Sequence, residues 1–339
     1  MAIDAESGTT PAVLVGTATE DWSGDARFHE YSTAADPLAS GAISRVPIRE
    51  FPPSVHDVAG SRIVPLDLSH ELGVPYPATS PALLAAFVVL DPGIPLTTGP
   101  DATSELYFCL EGTGQSTFTR DPGPGDLPGS AASHGTIDWA DGDLVTLPAG
   151  CSTEHRARGD GRALLYRVTD APLLSYLGVR PGPARFAPTR YPAAVSRARL
   201  AEVESDPAAA TRSRVSVLLA NAAHPQTLTV THTLWAMLGV LPPGRVQRPH
   251  RHQSVAVDLI IDGPPGCYSL VGSALDERGD IVDPVRVDWQ SAGAFVTPPG
   301  LWHSHHNESG RAAHLLPVQD AGLHTYLRSL DIRFTSSAG

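Results

Sequence analysis

The chain has 339 residues, with 36 acidic side chains against 24 basic ones, all arginine, for a formal net charge of −12. That length exceeds what one compact core usually supports and predicts about two domains. The acidic, lysine-free balance excludes a nucleic-acid binder, whose ligand needs clustered cations, and a protein held on an anionic membrane surface.

No apolar run reaches the roughly 18 residues a membrane span requires. The start, Met1 to Gly8, has neither the basic nor the apolar region of a signal peptide. A cytoplasmic protein is therefore expected. Cys109, Cys151 and Cys267 are few and widely spaced, which predicts buried reduced thiols and not a disulfide framework or zinc ribbon.

In chain order, residues 1–60 are polar, Gly/Ser/Ala-rich at first and without periodicity, and predict an N-terminal arm that is mobile or wraps a partner subunit. Short apolar runs bounded by Gly, Pro and Asp follow: Ala86–Leu90, Leu106–Leu110 and Leu144–Leu147. These read as strands of a first domain over 61–180. Gly178–Pro188 reads as the start of a linker (181–211), with a short helix over Tyr191–Glu204. Strands are predicted again at Leu234–Val240, Val257–Ile261 and Ala294–Thr297, within a second domain over 212–339. The halves repeat. Leu90-Asp-Pro-Gly, Glu111-Gly-Thr-Gly and Asp141-Gly-Asp-Leu-Val-Thr-Leu-Pro-Ala-Gly150 match Leu241-Pro-Pro-Gly, Asp262-Gly-Pro-Pro-Gly and Ala292-Gly-Ala-Phe-Val-Thr-Pro-Pro-Gly300. An all-β chain of two like sandwiches or barrels is expected.

The chemistry concentrates in the second half. His250 and His252, at i and i+2 on a strand, share one face. His303 follows the Pro298-x-Gly300 turn, where a later strand re-enters. Three imidazoles on one side of an ion leave positions open opposite. Such a site suits Fe(II) handling dioxygen or a chelating substrate, although three imidazoles also accept Mn, Ni or Zn.

Both strings resemble the two motifs of the cupin superfamily. The second matches at Gly293, Pro298-x-Gly300, His303 and Asn307. In the first motif, Ala256 stands where a typical cupin has glutamate. His250-Arg-His252-x-x-x-Ala256 and Trp302-His-x-His305 are similar to the group of gentisate, salicylate and 1-hydroxy-2-naphthoate dioxygenases. The likeness is specific over about 212–335. It implies two cupin barrels (double-stranded β-helix, or jelly-roll) and a non-haem iron site on His250, His252 and His303. It also implies a gentisate-like or extradiol-type dioxygenase, inserting both atoms of dioxygen into a hydroxylated or amino-substituted aromatic. The group further implies a homodimer or homotetramer. By the same likeness, His305 hydrogen-bonds substrate or oxygen, Trp235 packs in the substrate pocket, and Arg214 binds substrate; His306 is taken as structural.

Asp258 stands where the group places an arginine that pairs with the substrate carboxylate, and an aspartate there repels a carboxylate or attracts an amine. Gentisate and salicylate themselves are then unexpected substrates. The first half keeps Glu105 but lacks the paired histidines, and Thr153 takes the place of His303. A metal-free barrel is expected, with His155 as an ordinary surface histidine. In the family the metal barrel comes first; here the order is reversed. Two other functions stay open: a cupin metalloenzyme oxidising or rearranging a non-aromatic amine or thiol, and a non-catalytic small-molecule-binding cupin.

Overall fold

The computed structural model of the chain describes residues 22–123, 126, 132–212 and 214–335. The chain divides into two compact units, 1–43 and 44–339. In the first, a one-turn helix α1 (Tyr31–Ala34) is capped by the Glu30 carboxylate, which accepts from the backbone N–H groups of Ser32 and Thr33. Among the described residues no helix is long and apolar enough to cross a membrane.

The second unit opens with β1 (Arg49–Phe51). A first set of elements follows: β2 (Arg62–Pro65), α2 (Ser69–Leu72), β3 (Leu84–Leu90), β4 (Leu96–Thr98), β5 (Ser104–Glu111), β6 (Thr113–Arg120), β7 (Ser133–Ala140), β8 (Leu144–Pro148), β9 (Ser152–Ala157), β10 (Ala163–Thr169) and α3 (Ala171–Leu177). Next come β11 (Thr189–Tyr191) and α4 (Ala193–Ser205). The second set repeats the first: β12 (Val215–Leu219), β13 (Trp235–Leu241), β14 (Val246–Arg251), β15 (Ala256–Asp262), β16 (Cys267–Gly272), β17 (Val285–Asp288), β18 (Ala294–Thr297), β19 (Trp302–Asn307), β20 (Ala313–Gln319), α5 (Ala321–Leu327) and β21 (Arg333–Phe334). The six strands expected from the sequence all form, each within two residues of its expected ends.

Each set makes two sheets. In the first, β11-β8-β5-β10-β3-β2 faces β4-β9-β6-β7; in the second, β1-β18-β15-β20-β13-β12 faces β17-β16-β19-β14-β21. Every pairing is antiparallel, as a jelly-roll requires. The inner faces supply each barrel's own core: Val88, Tyr107, Val145 and Leu165 meet Phe118 and Trp139 in the first, and Ile260, Phe295 and Leu315 meet Val287 and Trp289 in the second. The outer faces of the two six-stranded sheets form a shared core, in which Phe87, Leu106, Tyr166 and Val168 cluster with Ala236, Val257, Leu259, Val296 and Val318. Burial on both faces explains why these strands read as unbroken apolar runs, whereas the two smaller sheets carry more polar strands.

The sheet orders hold an exchange. β1, from the stretch expected as an arm, pairs with β18 of the second barrel, Arg49 opposite Val296. β11, from the expected linker, pairs with β8 of the first barrel, Thr189 opposite Thr146. Each barrel thus takes its edge strand from the segment that leads into the other.

Candidate metal centre

His250 lies on β14 and His303 on the neighbouring β19, and the two are direct cross-strand partners. A bulge between Gln247 and His250 shifts the register by one residue. In a regular strand those two positions, three apart, would face opposite ways; the extra residue returns both to the inside. His252 lies one residue past the end of β14, a small departure from the expected strand pair. It is fixed there because Gly300 N–H donates to its carbonyl at 2.7 Å. Gly300 sits at φ +74, a conformation that suits glycine, so the Pro-x-Gly turn both presents His303 and anchors His252.

The ring centroids of His250 and His303 are 4.0 Å apart, those of His252 and His303 4.9 Å, and those of His250 and His252 6.2 Å. All three residues are buried. Each Nδ1 meets a backbone carbonyl: His250 that of Arg248 at 3.2 Å, His252 that of Ser254 at 2.8 Å, His303 that of Leu301 at 3.2 Å. A carbonyl only accepts, so each ring carries its proton on Nδ1 and offers the Nε2 lone pair, the outer-shell arrangement that prepares histidine for a metal. Burial holds all three well toward the neutral form, His252 down to about 4. The donor set fits a divalent transition metal.

A fourth imidazole complicates the choice of three. The ligating nitrogens of His250, His303 and His305 lie within 4.8 Å of one another. Both nitrogens of His305 are engaged, however: Nδ1 faces Ser269 Oγ at 2.7 Å and Nε2 faces Arg214 Nη2 at 3.2 Å. A guanidinium beside Nε2 opposes a metal at the same atom. The Gln247 amide likewise meets His250 Nε2, at 3.3 Å, but it is neutral; the positive charge beside His305 Nε2 favours His250, His252 and His303, although proximity alone favours the other set.

Arg214 is partly buried. Nε donates to Gln247 Oε1 at 3.1 Å, and Nη1 lies 3.1 Å from Met237 Sδ. Among the described residues no carboxylate forms an ion pair with it. A narrow cleft is lined by Arg214, Ser216, Leu241, Gln247, Trp289 and His305. Trp235 begins β13 and, by alternation, shares a face with Met237; its Nε1 is buried without a partner. Asp258 is buried and accepts from Thr297 Oγ1 at 2.8 Å. Burial pushes its carboxyl up to about 6, against the pull of Thr297 and of the Arg214 charge. His306 stacks on Tyr268, with centroids 4.7 Å apart.

Sequence reasoning missed Gln247, which links Arg214 to His250 through its amide, 3.3 Å from His250 Nε2. Nothing in the pattern flags it, because only the bulge turns it inward. The expectation for His155 is corrected. It is fully buried in the first barrel, with Nδ1 2.8 Å from Ser116 Oγ and Nε2 3.2 Å from Thr98 Oγ1. Trp139 Nε1 donates to Ser116 Oγ at 2.8 Å, and Trp289 Nε1 donates to Ser269 Oγ at the same distance. His155 is therefore the counterpart of His305. Thr98 faces Thr153 as His250 faces His303. Around them Glu105 Oε2 accepts from Tyr107 Oη (2.6 Å) and from Arg167 Nη2 (2.8 Å) and Nε (3.2 Å). An ion pair occupies the interior of the first barrel.

The buried imidazoles set a pH dependence. Burial lowers His155 to about 3 and His232 and His252 to about 4, with His250, His303 and His305 also well below their ordinary value. These groups protonate in the unfolded chain first, so their contribution to stability is present above about pH 6.5 and is lost as pH falls. Four carboxyls raised by burial act in the opposite sense, Asp258 (to about 6), Asp320 (to about 7), Glu105 and Asp170, and are outnumbered by the lowered imidazoles. The metal-free chain should melt at progressively lower temperature from pH 6.5 to pH 4.5, and His155→Asn should make that slope shallower. A flat profile in calorimetry would contradict the assignment.

No protein-family model matches the chain. It is 32% identical over 82 residues to a gentisate 1,2-dioxygenase of Aquipseudomonas alcaligenes, covering 24% of this chain and 20% of that protein. It is 30% identical over 109 residues to a 1-hydroxy-2-naphthoate 1,2-dioxygenase of Nocardioides sp. strain KP7, covering 32% and 24%. The matches thus span about a fifth to a quarter of the length of these curated relatives. Among solved structures, salicylate 1,2-dioxygenase of Pseudoaminobacter salicylatoxidans with gentisate adducts superposes with TM-score 0.66 at 14% identity over 91% of each chain. Procruciferin, an 11S globulin of Brassica napus, gives TM-score 0.54 at 12% identity over 88% of each chain. The fold is that of a bicupin: two cupin barrels in one chain.

Proposed function

We propose that this chain is a non-haem metal-dependent dioxygenase, holding Fe(II) on His250, His252 and His303 and cleaving the ring of a hydroxylated or amino-substituted aromatic. The observation that carries the reading is the set of three buried imidazoles, each with Nδ1 tied to a carbonyl, so that the Nε2 lone pairs are the ones available to a metal, that of His250 meeting only the neutral Gln247 amide. The short stretches of identity with two aromatic-ring dioxygenases support it. A proton-fixed, neutral imidazole set needs no rearrangement to bind a cation. When bound, the metal would supply the redox and Lewis-acid chemistry that lets dioxygen react with the ring.

The rest falls to the protein's own groups. Arg214, at the cleft and without a carboxylate partner, is the receptor for an anionic substituent. Asp258 takes the opposite pole, an amino group, so that an aromatic bearing both a carboxylate and an amine fits better than salicylate, which has no amine. Trp235 and Met237 supply an apolar wall. His305, next to the three ligands, orients oxygen or substrate and, with its own proton on Nδ1, can take one at Nε2. The buried thiols Cys109, Cys151 and Cys267 suit a reducing cytoplasm.

The purified chain should retain about one metal per chain by elemental analysis. After anaerobic loading with Fe(II) it should consume dioxygen with at least one member of a panel of gentisate, salicylate, aminosalicylates and aminophenols. Asp258→Arg should shift preference toward substrates without an amine. A chain that holds no metal, or holds it and consumes no dioxygen with any aromatic, would overturn the reading.

A further inference from the structure

The first barrel provides a comparison for the second. Both contain a tryptophan, a serine and a histidine joined in one line: Trp139, Ser116 and His155 in one, Trp289, Ser269 and His305 in the other. The lines differ only at the far end of the imidazole. In the first barrel Nε2 of His155 meets Thr98, which is bonded onward to Tyr107 and so to the Glu105–Arg167 pair. In the second, Nε2 of His305 meets Arg214. The shared part maintains the interior of either barrel; the end that differs meets the cleft.

A guanidinium has only donors, so His305 Nε2 accepts from Arg214. The neutral ring then carries its proton on Nδ1 and donates it to Ser269 Oγ. Ser269 Oγ also receives the indole N–H of Trp289. Two donors on one oxygen leave little choice of ring orientation. We propose that Ser269, backed by Trp289, is a positioning residue: it fixes the His305 ring with Nε2 turned to Arg214, and through that ring aims the guanidinium into the cleft. The link to substrate rests on the proposed function, since Arg214 is the anion receptor there; the ring geometry does not.

Two measurements separate these parts, and Ser116→Ala is the matched control because it removes the same hydrogen bonds in the barrel that has no cleft arginine. The first uses the metal-free full chain labelled with 15N, whose long-range imidazole spectra report which ring nitrogen carries the proton. His305 should be protonated at Nδ1 in the parent chain and in Ser116→Ala, and should shift toward a mixture of tautomers in Ser269→Ala. An unchanged His305 signal in Ser269→Ala would overturn the positioning claim. The second measures binding of salicylate and of phenol to the Fe(II)-loaded chain under argon. Ser269→Ala should lose about 5- to 10-fold in affinity for salicylate, short of the more than roughly 10-fold that losing a charged hydrogen bond outright would cost because Arg214 is misaimed and not removed, with phenol unchanged. Ser116→Ala should change neither. Equal loss for both probes, or equal loss in both variants, would make Ser269 structural only. A parent chain that does not favour salicylate over phenol would defeat Arg214 as anion receptor, and the spectra would still decide whether Ser269 sets the ring.

Discussion

Replacing His252 with alanine should strip the metal as completely as His250→Ala or His303→Ala, while His305→Ala should leave the metal content unchanged. All four imidazoles crowd one region, and the tightest cluster of ligating nitrogens contains His305 in place of His252. Hydrogen bonding reverses that ranking. His252 Nδ1 is tied to Ser254, through both its carbonyl and its hydroxyl, and Ser254 Oγ bonds in turn to Gln319 Oε1 at 2.9 Å. The ring is braced from behind at Nδ1. His305 is held at both ends. Losing an outer-shell partner costs a metal site about 10- to 100-fold in affinity, and losing a ligand should cost more. Elemental analysis and competition with a chromophoric chelator would measure it. Metal retained in His252→Ala and lost in His305→Ala would replace the ligand set with His250, His303 and His305.

Removing the Glu105 carboxylate should destabilise the chain more than any surface substitution. Burial raises the Glu105 carboxyl, while the Arg167 charge and the Tyr107 and Arg167 hydrogen bonds pull it back. Arg167 is held charged: burial works against it, and Tyr107, Glu105 and Asp101 more than offset that. Glu105→Ala would leave a guanidinium in the barrel interior, with its 3.1 Å hydrogen bond to the neutral Tyr107 Oη and, as its one remaining carboxylate among the described residues, the half-exposed Asp101 at 3.3 Å. Breaking a buried pair in this way costs about 3–5 kcal/mol. Removing both charges together, as in Glu105→Leu with Arg167→Met, should cost far less or be neutral. Urea unfolding would compare the three chains, and metal content should stay at its parent value in each. A Glu105→Ala chain as stable as its parent would show that the pair is not formed.

The pattern of turns and apolar runs carried the barrels, because a strand buried on both faces has to be apolar throughout and the loops between strands need Gly and Pro. The i, i+2 spacing of His250 and His252 and the Pro298-x-Gly300 turn before His303 pointed to three imidazoles that the fold brings together. What stayed hidden depends on register. Gln247 reads as a polar residue on an exposed strand until the bulge beside Pro249 is known. His155 reads as a surface histidine because its partners Thr98 and Ser116 lie on separate strands, far from it in sequence. Arg214, close to where β12 begins, gives no sign in the sequence that its guanidinium will meet Gln247 and His305.

The traded strands carry a consequence for how the polypeptide is made. When the ribosome has finished β10, the first barrel still lacks β11, which arrives about twenty residues later. The opposite debt lasts far longer: β1 leaves the exit tunnel more than two hundred residues ahead of its partner β18. Throughout that interval a three-residue ribbon waits with its hydrogen-bonding edge unclaimed, and such distant closures are slow. Its shortness and its charged residues Arg49 and Glu50 keep that waiting edge from recruiting other nascent chains.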